Sequence, residues 1–155
     1  MGKIYVKTGL LIFLALLCAS CGGTKLIRGE VPMVRMNELS HGADGISVQL
    51  SMRNLNGVEL DVRDIDFKLS VKDDVLFSYT GPVDTKIVAN GTEVWGVQIE
   101  ESDHSRTLLN SLENGEVKSL SYSLDGSIGT REDGKLRFSH SGHLYPVPGR
   151  PGKFR

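Results

Sequence analysis

The chain has 155 residues, 39% of them hydrophobic and 24% charged, with 18 Lys+Arg against 19 Asp+Glu and a formal net charge of −1. Such a balance belongs to a chain that folds, since disordered segments combine low hydrophobicity with high net charge. It also excludes the basic footprint of a nucleic-acid binder, and two cysteines, Cys18 and Cys21, are too few for a disulfide framework.

Lys3 and Lys7 precede an uncharged run from Thr8 to Ala19, the layout of a secretory signal peptide. About a dozen apolar residues fall short of the roughly 20 that a membrane-spanning helix needs, so cleavage is expected rather than retention. Ala19 and Ser20 are the small residues a signal peptidase accepts, and Leu17-Cys18-Ala19-Ser20-Cys21 resembles a bacterial lipobox, with Cys18 standing where Leu, Val or Ala is usual. Modification at Cys18 itself would put Leu16 and Leu17 where small residues belong. A C-x-x-C redox pair or half a zinc site has the same spacing, but either needs a fold around it and there is no further cysteine. Residues 1–20 are therefore expected to be removed, Cys21 to carry the lipid, and residues 21–30 to form a tether. A single acyl chain binds a membrane only marginally, whereas the three of a mature lipoprotein hold firmly. Gly22 after the cysteine resembles the sorting rule for outer-membrane lipoproteins, so the expected location is the outer membrane of a bacterial envelope, facing the periplasm.

From Ile46 the chain alternates: Ile46, Val48, Leu50 and Met52 are apolar, with Ser47, Gln49, Ser51 and Arg53 between them. A period of two predicts a strand with one buried face. Ile65, Phe67, Leu69 and Val71 repeat the pattern, and Asn54-Leu55-Asn56-Gly57 between the two predicts a reversal or a crossing loop. Weaker strands are predicted at Val75–Tyr79 and Val83–Ala89, and Asn90-Gly91 is a strong hairpin signal leading into a strand with Trp95, Val97 and Ile99. One short helix follows, capped by Ser102 or Asp103, with Leu108, Leu109 and Leu112 as its apolar stripe and Asn114-Gly115 as its end. Val117, Leu120, Tyr122 and Leu124 begin a long strand reaching Gly129, which Asp133-Gly134 turns into another containing Leu136 and Phe138, and Gly142–Val147 closes the domain. About seven strands and one helix predict an all-β antiparallel sandwich over residues 31–147, with residues 148–155 as a mobile tail.

The alternating stretch "GISVQLSMRNLNGVELDVRDIDFKLSV", a hairpin before "EVWGVQIE", the lone helix, "LSYSLDGSIG" and the closing "FSHSGHLYPV" together resemble the late embryogenesis abundant type 2 family, also called the water stress and hypersensitive response (WHy) domain. Asn54, Asn56 and Gly57 carry the most specific part, where the family has Asn-Pro-Asn and this chain has Leu55 in place of the proline. The resemblance implies a fibronectin-like or immunoglobulin-like sandwich, a role in tolerance of drying or cold, and no catalytic residues. Its bacterial relatives are commonly exported or lipidated, in keeping with Cys21.

Other candidate chemistry has a simpler reading. His140 and His143 are three apart, so in a strand they face opposite sides unless Gly142 forms a bulge. Asp61, Asp64, Asp66, Asp73 and Asp74 lack the spacing of a calcium loop and predict a solvated strand face. Ser139 beside His140 has no G-x-S-x-G elbow, and Asn90-Gly91-Thr92 is expected to be a turn before it is a glycosylation site. Trp95 is expected as a core anchor, with a ligand-facing role open if it lies at a sheet edge. Arg150, Lys153 and Arg155 are expected in a solvated tail, with contact to anionic headgroups or peptidoglycan as the alternative. No metal, cofactor or small-molecule substrate is expected. The functional expectation is a non-enzymatic, lipid-anchored stress-protection protein of the cell envelope. The alternative is an accessory lipoprotein that binds an envelope protein by adding a strand to a sheet edge.

Overall fold

A computed structural model describes residues 27–72 and 74–155; the leader, Cys18, Cys21 and Asp73 lie outside the described residues. Among them run eight strands and one helix: β1 (Met33–Gly42), β2 (Gly45–Arg53), β3 (Leu60–Val71), β4 (Asp74–Ile87), β5 (Thr92–Ile99), α1 (Asp103–Glu113), β6 (Leu120–Thr130), β7 (Lys135–Leu144) and β8 (Lys153–Phe154). One four-stranded sheet has the order β5-β2-β1-β8 and the other β4-β3-β6-β7, with every pairing antiparallel. The protein is an all-β sandwich.

The alternation predicted for β2 and β3 is what builds the core. Ile46, Val48, Leu50 and Met52 are all 0% exposed, and Leu60, Val62, Ile65, Phe67, Leu69 and Val71 face them from the other sheet. A bulge between Val62 and Asp64 shifts the inward parity of β3 from even to odd positions, which is why regular alternation begins only at Ile65. The same device hid β1 from the sequence: a bulge between Met36 and Glu38 places Val34 and Leu39 inside although they are five apart. The two weak segments after Val75 form one strand, β4, kinked by register shifts opposite Val62–Asp64 and Leu69–Ser70 and by Asp84 at φ 44.

Asn90-Gly91 forms its tight turn, with Asn90 at φ 57, but it does not make a hairpin. Strand β4 pairs with β3 and β5 with β2, so the turn hands the chain from one sheet to the other. The hairpin signal reports local backbone conformation, and pairing was decided by which sheet could bury each apolar face. Asp133-Gly134, by contrast, does join paired neighbours, β6 and β7.

Helix α1 is capped by Ser102, whose hydroxyl accepts from the Ser105 amide while Ser105 returns a bond to the Ser102 amide. Leu109 and Leu112 are buried against the sandwich, and Gly115 at φ 76 ends the helix.

The final residues correct the expectation of a mobile tail. Residues 145–155 fold back on themselves, with Tyr145 and Arg155 exchanging backbone hydrogen bonds of 2.9 and 3.0 Å and Val147 N–H donating to Lys153 O at 2.8 Å. Strand β8 then pairs with β1, and Phe154 is 0% exposed. The tail lacks periodicity because its one anchoring side chain stands alone among Pro, Gly and Lys, and two residues are too short a strand to show a pattern.

Phe154→Ala should lower unfolding stability by about 3–5 kcal/mol in a urea titration, the range for emptying a buried aromatic site; a change under about 0.5 kcal/mol would mean the tail is not docked. Gly126 lies in β6 between Phe67 and Phe138, where an added Cβ would meet the Asp66 carbonyl and the Phe138 ring. Gly126→Val is expected to destabilise more than any exposed substitution on the same strand, read by the same titration.

Candidate functional site

The residues that carried the family resemblance meet at the end of the sandwich where the chain enters. Two of the four chain crossings between sheets, β2 to β3 and β4 to β5, occur there, and a backbone leaving a sheet loses its ladder partners. Asn54 and Asn56, 0% and 1% exposed, replace them. The Asn54 side-chain amide donates to the carbonyls of Val58 (2.8 Å), Ile87 (3.1 Å) and Val88 (3.2 Å), and its oxygen accepts from the Asn56 backbone N–H (2.9 Å) and side-chain amide (3.0 Å). Asn56 pairs with Glu30 in both directions, accepting from its N–H at 2.8 Å and donating to its carbonyl at 3.0 Å. Backbone bonds complete the knot: Asn54 N–H to Gly91 O, Asn90 N–H to Asn56 O, and Gly57 N–H to Ile27 O. Three separate segments are thus tied to one loop. Ile27 and Glu30, expected in a free tether, are part of it.

Leu55, at the family's proline position, projects outward and is 36% exposed. The flanking amides hold the turn without a ring at that position.

A second cluster at the opposite end was not visible in the sequence. His41, at the end of β1, places Nδ1 3.1 Å from a Glu101 carboxylate oxygen and Nε2 3.1 Å from Glu113. Arg106 donates to the other Glu101 oxygen at 2.9 Å, and the second Glu113 oxygen accepts from Gly152 N–H at 2.9 Å. The His41 ring lies 5.6 Å from that of Phe154. The partners are 60 and 72 residues from His41, and no local motif announces a pairing across such distances. Both ring nitrogens face carboxylates and one ring face meets Phe154, so the imidazole is committed to joining β1, both ends of α1 and the tail.

The other singled-out residues are dispersed. His140 is half-buried against Tyr122, 6.3 Å between ring centroids, while His143 points outward beside Tyr145. The β6–β7 register runs without a bulge at Gly142, so the two imidazoles stay on opposite faces. Ser139 donates to Asp125 across the strand pair at 2.7 Å, away from His140. Asp64, Asp66 and Asp74 lie on solvated strand faces, and Asp61 pairs with Arg131 at 2.9 Å, which holds its carboxyl below the usual range. No group of three metal-ligating side chains forms among the described residues. Burial pushes the Tyr122 hydroxyl upward in pKa. Trp95 packs against the core from β5, an edge strand, and is only half-buried; its Nε1 is buried without a hydrogen-bond partner among the described residues.

Arg150 and Arg155 are solvated as expected, but Lys153 is half-buried and donates to Glu38 of β1, which Arg150 also approaches at 3.6 Å. The hydrogen bond from Lys153 is the main cause that lowers the Glu38 carboxyl below its ordinary value, with burial opposing it.

No family model and no curated protein matches the chain. Solved structures similar to it include a protein from Archaeoglobus fulgidus, with 9% identity, a TM-score of 0.47 and coverage of 76% of this chain and 98% of that one. An Arabidopsis thaliana protein shares 11% identity at a TM-score of 0.49, covering 84% and 95%. A structure described provisionally as a late embryogenesis abundant (LEA) protein shares 16% identity at a TM-score of 0.43, covering 91% and 82%. The fold assignment rests on the strand order and register above.

Asn54→Ala should strand several buried backbone groups at about 1–3 kcal/mol each, giving a loss of roughly 3 kcal/mol or more in urea unfolding. Asn54→Asp should not rescue it at neutral pH, because it turns a donor facing three carbonyls into a second acceptor. Because the folded Glu38 pKa lies below its unfolded value, the contact stabilises above the ordinary carboxylate range and is lost as pH falls through it. Glu38→Gln is expected to flatten the acid side of a stability–pH curve below about pH 5; an unchanged slope would show the contact is screened.

Proposed function

We propose that the chain is a non-enzymatic, lipid-anchored protein of the bacterial cell envelope whose sandwich serves in protection against water stress. The observation that carries this reading is the Asn54–Asn56 knot. The residues responsible for the family resemblance are the ones that fasten the two chain crossings at the entry end, a structural role that fits a motif in a non-catalytic domain. The lipobox at Leu17–Cys21 supports attachment, and among the described residues no helix is long and apolar enough to cross a membrane. Polar side chains with catalytic potential, His41 and Ser139 among them, are occupied in holding strands and helix together.

An accessory role has one observation in its favour. Strand β5 is the last strand of its sheet, so one side of its backbone has no strand partner among the described residues, and Val94 on it is 53% exposed. An open edge of this kind can accept an added strand.

Mass spectrometry of the mature protein should show an acylated Cys21 as its first residue, and Cys21→Ser should move the protein from the membrane to the soluble fraction. Cells lacking the protein should survive drying, freezing and osmotic shock less well than the parent; equal survival in all three would remove the protective role. Recovery of one stoichiometric envelope protein from membranes, lost when β5 is altered, would favour the adaptor reading.

A further inference from the structure

The exposed apolar residues of this protein are not scattered. Of the eight large hydrophobic side chains exposed among the described residues, Ile27 (51%), Val31 (39%), Met33 (38%), Leu55 (36%) and Val88 (62%) all lie at the end where the chain enters. The knot brings them there: Gly57 N–H bonds Ile27 O, Leu55 sits between the two buried asparagines, and Val88 O accepts from Asn54. Met33 opens β1 opposite Arg53, the last residue of β2. Val94 lies two residues along β5 from the same end, and only Val75 and Tyr145 stand at the opposite one.

Single exposed hydrophobics are ordinary, but five gathered at one end of a small domain mark a surface that meets something apolar. The position of Cys21 says what. Ile27 is already docked on Gly57, and it follows Cys21 by six residues, so the fully extended chain between them spans about 20 Å at most. With an acylated Cys21 in the bilayer surface, this end of the sandwich, where the leash is attached, is held within reach of the headgroups. Charges of both signs surround these residues, some paired, with Arg28 3.8 Å from Glu132, Lys86 3.1 Å from Glu59 and Arg131 2.9 Å from Asp61, and others, Glu30, Arg53, Glu93 and Asp133, without an ion-pair partner among the described residues.

We propose that the entry end, presenting Ile27, Val31, Met33, Leu55 and Val88, is an apolar seat that rests in the interfacial layer of the lipid bilayer. This rests on the lipid-anchor reading above, and it adds an orientation to it: the strands stand away from the membrane, and α1, His41 and the folded tail face the periplasmic space. The acyl chains supply attachment, and the seat supplies the direction in which the body points. Val94 and the open edge of β5 then lie close to the membrane at their near end.

The test uses the full chain, matured in cells and reconstituted into phosphatidylethanolamine–phosphatidylglycerol vesicles. Cys18 leaves with the leader and the Cys21 thiol is consumed by acylation, so an introduced cysteine is the one free thiol. An environment-sensitive fluorophore is attached in turn to Leu55→Cys, Val88→Cys, Val75→Cys and Tyr145→Cys, with thermal melts confirming that each exposed substitution leaves the fold intact. The proposal expects blue-shifted emission and quenching by headgroup-labelled lipid at 55 and 88, and aqueous emission without quenching at 75 and 145. If the mass shows acylation and all four probes report water, the seat is overturned while the anchor stands. Equal quenching at all four also overturns it, as does shielding of 55 and 88 without vesicles, which would mean contact between copies. A mature chain without fatty acid overturns the anchor and this proposal with it.

Discussion

A polypeptide that switches between two sheets must cross a gap in which neither ladder can satisfy its amides, and this protein does so twice at the same end. The fold depends on how those crossings are satisfied. Asn54 and Asn56 answer with side-chain amides that imitate backbone, each offering a carbonyl and an N–H group. The Asn54 amide gathers the carbonyls of both crossings, at Val58 on one and at Ile87 and Val88 on the other, so each connection braces its neighbour. Because both asparagines are buried, water cannot substitute for a missing bond, and the loop has essentially one arrangement available. The register of β2, β3, β4 and β5 is set from this point outward, and the segment before β1 is drawn into the same knot through Glu30 and Ile27.

The opposite end is closed by different means. There the chain has a helix and a terminal segment to attach, and carboxylates do the fastening: Glu101 and Glu113 to His41, Glu113 on to the Gly152 amide, and Glu38 to Lys153 and Arg150. Phe154 completes the core beneath them. Buried neutral amides serve the entry end, where an unpaired polar group would cost most; at the opposite end His41 and Glu101 are nearly as buried, while Glu113, Glu38, Lys153 and Arg150 keep solvent contact that lowers the cost of bringing charges together.

Much of this architecture could be read from residue spacing, and the exceptions have identifiable causes. Regular alternation exposed β2 and the later part of β3, and Ser102 with Asn114-Gly115 bounded the helix. Strand β1 escaped because one inserted residue changes which side chains face inward, and a period-two search treats that as noise. Asn90-Gly91 was legible as a turn but not as a crossing, since a dipeptide encodes its own dihedral angles and not the identity of the strands it joins. The tail and the His41 cluster were illegible for a shared reason: each depends on partners dozens of residues away, and Phe154, His41, Glu101 and Glu113 have no local pattern to distinguish them from surface residues. The asparagines of the knot were legible as a reversal or crossing loop and were singled out again by the family resemblance, but neither reading pointed to the three segments they bind.

The way the entry segment is fastened bears on how the molecule carries mechanical load. A pull applied through the residues before Ile27 does not reach a frayed end that could be unzipped one bond at a time. It meets Gly57 and Asn56 first, and through them the loop on which both sheets converge, then β1, whose hydrogen bonds to β2 lie across the pulling direction. Those bonds must shear together rather than in succession. A body pulled through its entry segment keeps its shape under tension because that segment is knotted into the frame before it is woven into a strand.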